Sequence, residues 1–319
     1  MKTLWQFAHE RHDIFLRRVA GEPPPWTDDP IMQSARFTNI FRAADRFSQF
    51  MIQEVFREGW SHDDAFVCVM LARHFNLPYS WRVIEELAAT NPEEYGPEMG
   101  LDVWWGEFSA FAEALSARML EEREAGKSVY SHAYIVPATG PEFWGHPRWD
   151  GWFHTLDQML QDSLPTRIKW LPASSVLKHL RSYKQMGAFI TYQIYADLCY
   201  TDLWPWNDSS ALIPGVGAVR GASARAEMTL NERGAYDWIY QAWEEQNEQS
   251  WDETGREAPL LWGHELSLMD VQNIHCEYGK YVKAAGGGHI KRRYDQIGES
   301  MKFKFPASWG VNIPEELRA

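Results

Sequence analysis

Apolar side chains recur in this chain at spacings of three and four residues, a pattern that buries one continuous face only if the backbone is helical. It runs through Leu4–Val19, Ile31–Phe56, Asp63–Phe75, Trp81–Ala89, Val103–Arg123, Trp152–Leu160, Ser174–Met186, Ala188–Cys199, Asn231–Glu245 and Glu265–Val282. Breakers separate these stretches at Pro23-Pro24-Pro25, Asn91-Pro92, Asn207-Asp208 and Gly286-Gly287-Gly288. Only Ser128–Ala138, through Val129, Tyr134, Ile135 and Val136, has strand character. The expected class is all-α. No repeat is visible and no linker is long enough to demand independent units, so residues 1–319 are expected to form a single helical domain.

Aromatic residues make up 14% of the chain, with 17 Trp, 16 Phe and 13 Tyr, which excludes long disorder. Trp104-Trp105 and the pair Trp204 and Trp206 are most simply helix-packing residues. No apolar run approaches the ~20 residues that span a bilayer. Met1–Arg18 alternates polar and apolar residues without a signal-peptide core, so no membrane partner is expected. Cys68, Cys199 and Cys276 are too few and too scattered for a disulfide framework or a Cys-x-x-Cys zinc site. No His-Glu-x-x-His is present either, and no metal site is expected. A reducing cytoplasm is the expected compartment.

Acids number 44 and bases 31, a net charge of −13 that opposes non-specific nucleic-acid binding over the surface as a whole. The distribution is uneven. Glu244–Glu257 holds six acids and one base, as a solvated loop or helix end would. Lys280–Lys304 holds seven bases, including Lys291, Arg292 and Arg293, against Asp295 and Glu299. Such a basic C-terminal segment suits either a phosphate backbone or plain solvation.

Gly126-Lys127-Ser128 has the form of a P-loop ending, but Glu121 replaces the first glycine and a charged helical stretch precedes it. Kinase chemistry by that route is not expected. Leu212-Ile213-Pro214-Gly215-Val216-Gly217, followed by Ala218-Val219-Arg220-Gly221-Ala222, fits the hairpin of a helix-hairpin-helix element near residues 205–235. The glycines permit a tight turn, and the helix after it begins with unpaired N–H groups that seat a phosphate. Gly215, Val216, Gly217, Ala218 and Arg220 are therefore expected DNA contacts, joined by Lys291, Arg292 and Arg293. Helix-hairpin-helix glycosylases carry a catalytic aspartate about where Asp237 stands. Here Tyr236 and Trp238 set that residue in a helical run, and Val219 occupies the place of the lysine of bifunctional glycosylases.

A continuous helix over Arg36–Gln49 aligns Asn39, Arg42, Arg46, Gln49 and Gln53 on one stripe, with Arg36 at the edge of the opposite apolar arc. Guanidiniums and amides in that array suit an anion or a base edge; the alternative is a solvated face. Within Glu265–Val282, Glu265, Met269, Gln272, Asn273, Cys276 and Lys280 share one face, and Asp270 and Glu277 share a second. Apolar residues fill the remainder, so this helix is expected to be buried on more than one side. Its carboxylates and amine are either acid-base groups or a buried salt-bridge network.

These segments resemble the α-glutamyl/putrescinyl thymine pyrophosphorylase family of bacteriophages. The resemblance rests on Arg36–Gln49 preceded by Pro25-Trp26-Thr27-Asp28, on Phe189–Leu198, on the Pro214–Gly221 hairpin, and on Cys276–Tyr281 with Lys291-Arg292-Arg293-Tyr294. It spans roughly residues 5–295. A homologous helical domain accompanies some 5-hydroxymethyluracil DNA kinases, and this chain, lacking a P-loop, resembles the stand-alone transferase branch. One departure is Gly279, which stands where the family resemblance leads one to expect an acid.

The resemblance implies a helix-hairpin-helix, DNA-glycosylase-like fold in the host-cell cytoplasm, acting on double-stranded phage DNA that carries 5-pyrophosphomethyl-uracil. It implies replacement of the pyrophosphate by the amine of a free amino acid, forming a C–N bond at the thymine 5-methylene. The base must leave the stack, and the leaving group needs cations, for which Arg36, Arg42 and Arg46 are the candidates beside Asn39. Asp197 or Glu277 is the candidate base for the attacking ammonium, with Lys280 alongside. No cofactor is required, although Mg2+ accompanying the pyrophosphate is compatible with this scheme. Two rival readings remain: a glycosylase that excises a modified base, and a non-catalytic DNA-binding partner of a 5-hydroxymethyluracil DNA kinase.

Overall fold

A computed structural model of the protein describes residues 1–90, 108–131, 147–288 and 301–319. Among these residues the regular structure is helical, and β structure is limited to isolated bridges at Leu261–His264 and Phe303–Arg318. The chain is all-α, as the three- and four-residue period requires. Ser128–Ser131 forms no strand, and the rest of the Ser128–Ala138 segment lies outside the described residues.

Residues group into two compact units, one built from Met1–Gln49 with Asn207–Ala319 and the other from Phe50–Trp206. The first contains α1 (Leu4–Val19), α2 (Pro30–Ser34), a 3-10 turn at Arg42–Ala44 and the start of α3 (Arg46–Phe50). The second takes over at the end of α3 and continues through α4 (His62–Phe75), α5 (Pro78–Thr90), α6 (Phe108–Glu124), α7 (Arg148–Gln161), α8 (Leu164–Ile168), α9 (Ala173–Leu180) and α10 (Ala188–Cys199). The first unit resumes with α11 (Val216–Arg225), α12 (Glu232–Glu244), α13 (Gln246–Thr254) and α14 (Leu268–Ala285).

Local chemistry sets the helix ends. Capping boxes start α1 (Thr3 with Gln6), α4 (Ser61 with Asp64) and α14 (Ser267 with Asp270), each satisfying N–H groups that a helix leaves open. α4 stops at Asn76, which takes the left-handed conformation at φ 51°.

In the second unit α4 is the central helix, buried along nearly its whole length and packed by α5, α7, α8 and α10. Arg73 of α4 and Asp197 of α10 form a bidentate ion pair in this core, at 2.5 Å from Nε and 2.7 Å from Nη2. Arg73 also donates to Asn76 Oδ1 at 2.9 Å, so the guanidinium is satisfied on several edges.

In the first unit α14 is the central helix, with buried residues on several sides as its mixed pattern predicts, and α1, α2, α11 and α12 pack against it. Its contact with α11 is made by glycine. A Cβ on Gly221 would stand 1.8 Å from the His275 carbonyl oxygen, one on Gly217 2.3 Å from Cys276 Sγ, and one on Gly279 2.8 Å from the Gly221 nitrogen. The two backbones touch there, and only glycine permits that approach.

Gly221→Ala is expected to cost about 3 kcal/mol in urea denaturation, because the clash is with backbone and no side chain can yield. Gly187→Ala, with nothing within 4 Å of its added Cβ, is expected to stay within about 1 kcal/mol of the parent. Asp197→Ala, which removes the carboxylate that balances the buried Arg73 charge, is expected to cost about 3–5 kcal/mol.

Candidate functional site

Asp270, Asn273 and Glu277 leave α14 at three- and four-residue spacing and form one polar row. Along that row lies residues 35–45, a strap that the sequence pattern assigns to a continuous helix. Asp270 Oδ1 accepts the Arg42 N–H at 2.7 Å, Asn273 Nδ2 donates to the Asn39 carbonyl at 2.7 Å, and Glu277 Oε2 accepts the Thr38 N–H at 3.0 Å. Arg11 of α1 donates through Nε to the Thr38 carbonyl at 2.9 Å and through Nη2 to the Phe37 carbonyl at 3.3 Å. These side chains satisfy backbone groups that a helix satisfies internally, so the helix expected over Ile31–Phe56 gives way to α2, the strap, the 3-10 turn, α3 and a π-helical turn at Met51–Val55.

The stripe of Asn39, Arg42, Arg46, Gln49 and Gln53 is therefore not a helix face. Asn39 is buried, donating to the Ala44 carbonyl at 2.8 Å and accepting from Arg11. Gln49 is likewise buried, donating to the carbonyls of Ala43 and Lys304 at 2.8 and 3.0 Å. Both amides tether the chain. Arg42 is buried on the 3-10 turn, whereas Arg36 and Arg46 are exposed. Of the three arginines expected at the leaving group, the exposed two can reach a polyanion in solvent.

The strap also delivers a carboxylate that the sequence reading did not single out. Asp45 accepts the Asn39 N–H at 2.8 Å, and the residue retains a partly exposed edge. Burial of its carboxyl pushes the pKa up to about 6; the Glu277 charge adds to this, while the Asn39 N–H, Arg11 and Arg42 oppose it. The only hint in sequence is an acid set between Arg42 and Arg46. Beneath the strap lies a carboxylate pair. Asp208 is pushed up to about 7, first by burial and then by the Asp270 charge, and burial raises Asp270 too.

Glu277 and Lys280, both expected site residues, form an ion pair at 2.6 and 2.8 Å, and the Lys280 ammonium lies 5.7 Å from the centroid of the Phe37 ring. Glu277 is buried while the Lys280 side chain is 35% exposed, so the pair runs from the interior to the surface. Beyond it Asp29, Pro30, Ile31, Tyr281, Val282 and Gly286 line an open groove of about 510 Å³. The groove carries the Asp29 carboxylate, which accepts from Tyr281 Oη at 2.9 Å.

Asp197 is elsewhere. Its bidentate bond to Arg73 in the core of the second unit, with no solvent exposure, makes it a structural carboxylate rather than the base expected for the amine. Asp237 is an exposed partner of Arg233 on α12, at 3.3 Å.

The hairpin residues divide. Gly215 precedes α11 at φ −77° with no side-chain cap, Val216 is 80% exposed, and Arg220 is exposed. Gly217 instead faces Cys276, and Ala218 is fully buried, so these two serve the α11–α14 contact. The stretch before α11, residues 200–215, is a turn-rich loop and not the first helix of a helix-hairpin-helix element. Lys291, Arg292 and Arg293 lie outside the described residues. Among the described residues no three His, Cys, Asp or Glu side chains converge as metal ligands do, and no helix is long and apolar enough to cross a membrane.

Residues 1–289, which include the strap, the hairpin and α14, match the family model for the helical domain of 5-hmdU DNA kinase. The chain belongs to that family. A curated relative, the 5-hmdU DNA kinase of Bacillus phage SP10, is 30% identical over 143 residues, 42% of this chain and 20% of the relative. The match thus spans about a fifth of the kinase's length. No solved structure matches the chain.

A carboxyl raised in the folded state holds its proton more tightly there than in the unfolded chain, so its contribution to stability falls as pH rises from the ordinary carboxylate range to about 7. Asp208→Asn removes that loss. In urea denaturation the variant is expected to exceed the parent by at least about 1 kcal/mol at pH 8 and to show no gain at pH 3.5.

Proposed function

We propose that the protein is a phage DNA-modification transferase acting on thymine derivatives of 5-hydroxymethyluracil. In this reading it joins an amine to the 5-methylene of 5-pyrophosphomethyl-uracil in DNA and releases pyrophosphate. The observation that carries the reading is Asp45, a carboxylate that burial pushes up to about 6, set where the charges of Arg11, Arg42 and Glu277 act on it. Membership of the 5-hmdU DNA kinase helical-domain family supports the choice of substrate.

The chemistry follows from the residues. The donor arrives as an ammonium, and Asp45, ionised at neutral pH yet more basic than a solvated aspartate, takes one proton. The freed nitrogen lone pair forms the C–N bond as the methylene C–O bond breaks, and that electron pair leaves on the pyrophosphate. Arg36, Arg46 and Lys280 offset the developing charge, with Mg2+ accompanying the pyrophosphate where it is present. The proton on Asp45 returns to solvent. The groove beside Asp29 and Tyr281 admits a small polar donor, and the exposed start of α11 at Val216, with Arg220, seats a backbone phosphate of the DNA.

The test incubates the protein with duplex carrying 5-pyrophosphomethyl-deoxyuridine and a mixture of amino acids and amines, followed by nucleoside mass spectrometry. A thymine–amine adduct with equimolar pyrophosphate is expected. Abasic sites would instead identify a glycosylase, and DNA binding with neither product a non-catalytic partner. Asp45→Asn is expected to lower the rate about a hundredfold at pH 7.5 and to abolish the rise in rate through about pH 6.

A further inference from the structure

From Ser163 to Ala196 the chain holds no acidic residue, in a protein whose net charge is −13. The same stretch holds Arg167, Lys169, Lys178, Arg181 and Lys184. The fold turns them outward. Val176, Leu177 and Leu180 bury one face of α9, which leaves Ser174, Lys178 and Arg181 on the opposite, exposed face. Arg167 and Lys184 are exposed too. Tyr183 Oη donates to Asp162 Oδ2 at 2.7 Å, and the Arg167 charge acts on the Tyr183 phenol, so the loop after α9 lies beside the start of α8. Asp162 lies beside Tyr183, and Asp63 shares His62 as a neighbour with Lys169; these are acids at the edge of the basic stretch.

Trp170, between α8 and α9 in the chain, is 77% exposed, with the Lys169 ammonium 5.1 Å from its ring centroid. An indole left in solvent beside a cation is a stacking platform, and stacking on it needs a base whose flat face is accessible. A duplex offers such faces only at its ends; an unpaired strand offers one at every nucleotide. A lipid surface fits less well, because the apolar side of α9 is spent on the core and only Trp170 and Phe189 are exposed as large apolar groups nearby.

We propose that this face of the second unit binds an unpaired strand of DNA, its phosphates on the bases of α8, α9 and the following loop and one nucleobase stacked on Trp170. The choice of DNA over RNA rests on the proposed function; the surface itself does not. A modification domain that draws a base out of a duplex leaves unpaired nucleotides, and a second foothold for them increases the time the DNA stays engaged.

The test is fluorescence anisotropy of a fluorescein-labelled oligothymidylate, titrated with the full chain across a range of salt, with no reading of turnover. The wild type is expected to bind. Lys178→Glu with Arg181→Glu is expected to flatten the slope of log affinity against log salt by about 1.4 or more, two single-strand phosphate contacts' worth. Trp170→Ala is expected to weaken binding about tenfold at unchanged slope, with Trp170→Phe restoring most of it. Arg233→Glu, an exposed reversal in the first unit, is expected to change neither. Equal affinity of the wild type and the α9 variants, binding only to phosphatidylserine vesicles, or no binding by wild type, each with unchanged melting temperatures, would overturn the proposal. A protein that fails the amine-transfer assay yet shows this pattern retains the surface and loses only the proposed chemistry.

Discussion

The first unit depends on side chains doing the work of a backbone. Asp270 caps the start of α14 through Ser267 and, with its other oxygen, holds the Arg42 N–H. Asn273 and Glu277 continue the same service toward Thr38. Were the strap a helix, its polar groups would satisfy one another and Asp45 would go wherever the helix turned. Held against α14, the strap instead fixes Asp45 where burial, and with it the Glu277 charge, lifts its pKa. Structure and electrostatics thus share the same three residues. A buried polar network of this kind is tolerable only because nearly every member finds a partner.

The contact of α11 with α14 places this template. Gly217, Gly221 and Gly279 let the helices meet backbone to backbone, and the start of α11 then projects Val216 into solvent. The contact also accounts for the departure at Gly279. An acid there, as the family resemblance leads one to expect, would drive its Cβ into the Gly221 backbone. Glycine at 279 belongs with glycine at 221, a packing pair rather than a change in donor chemistry.

Helix existence was legible because periodicity reports burial directly: α1, α10, α12 and α14 lie within a few residues of the stretches that the pattern marks. The strap was not legible. Residues 31–56 have helical periodicity, and the bonds that break it come from α14 and α1, more than two hundred and about thirty residues away in sequence. Asp197 reads as a functional acid because nothing local reveals that Arg73 waits 124 positions earlier. The Glu277–Lys280 ion pair joins residues that the periodicity assigns to two faces of α14, since their long side chains bridge a three-residue spacing. Gly217 was misread because a Gly-Val-Gly turn and a glycine helix contact have the same local sequence. The acid-free run from Ser163 to Ala196, by contrast, was present in the sequence and needed only a charge count along the chain.

The strap, held by α14, presents Asp45 as a carboxylate of unusual basicity. Carboxyl-carbon NMR of the protein labelled at aspartate, titrated from pH 3 to 9 and assigned with Asp45→Asn, tests it directly. A midpoint for Asp45 near 6 is expected, moving downward when Glu277→Gln removes the neighbouring charge. A midpoint in the ordinary aspartate range, unmoved by that substitution, would contradict it.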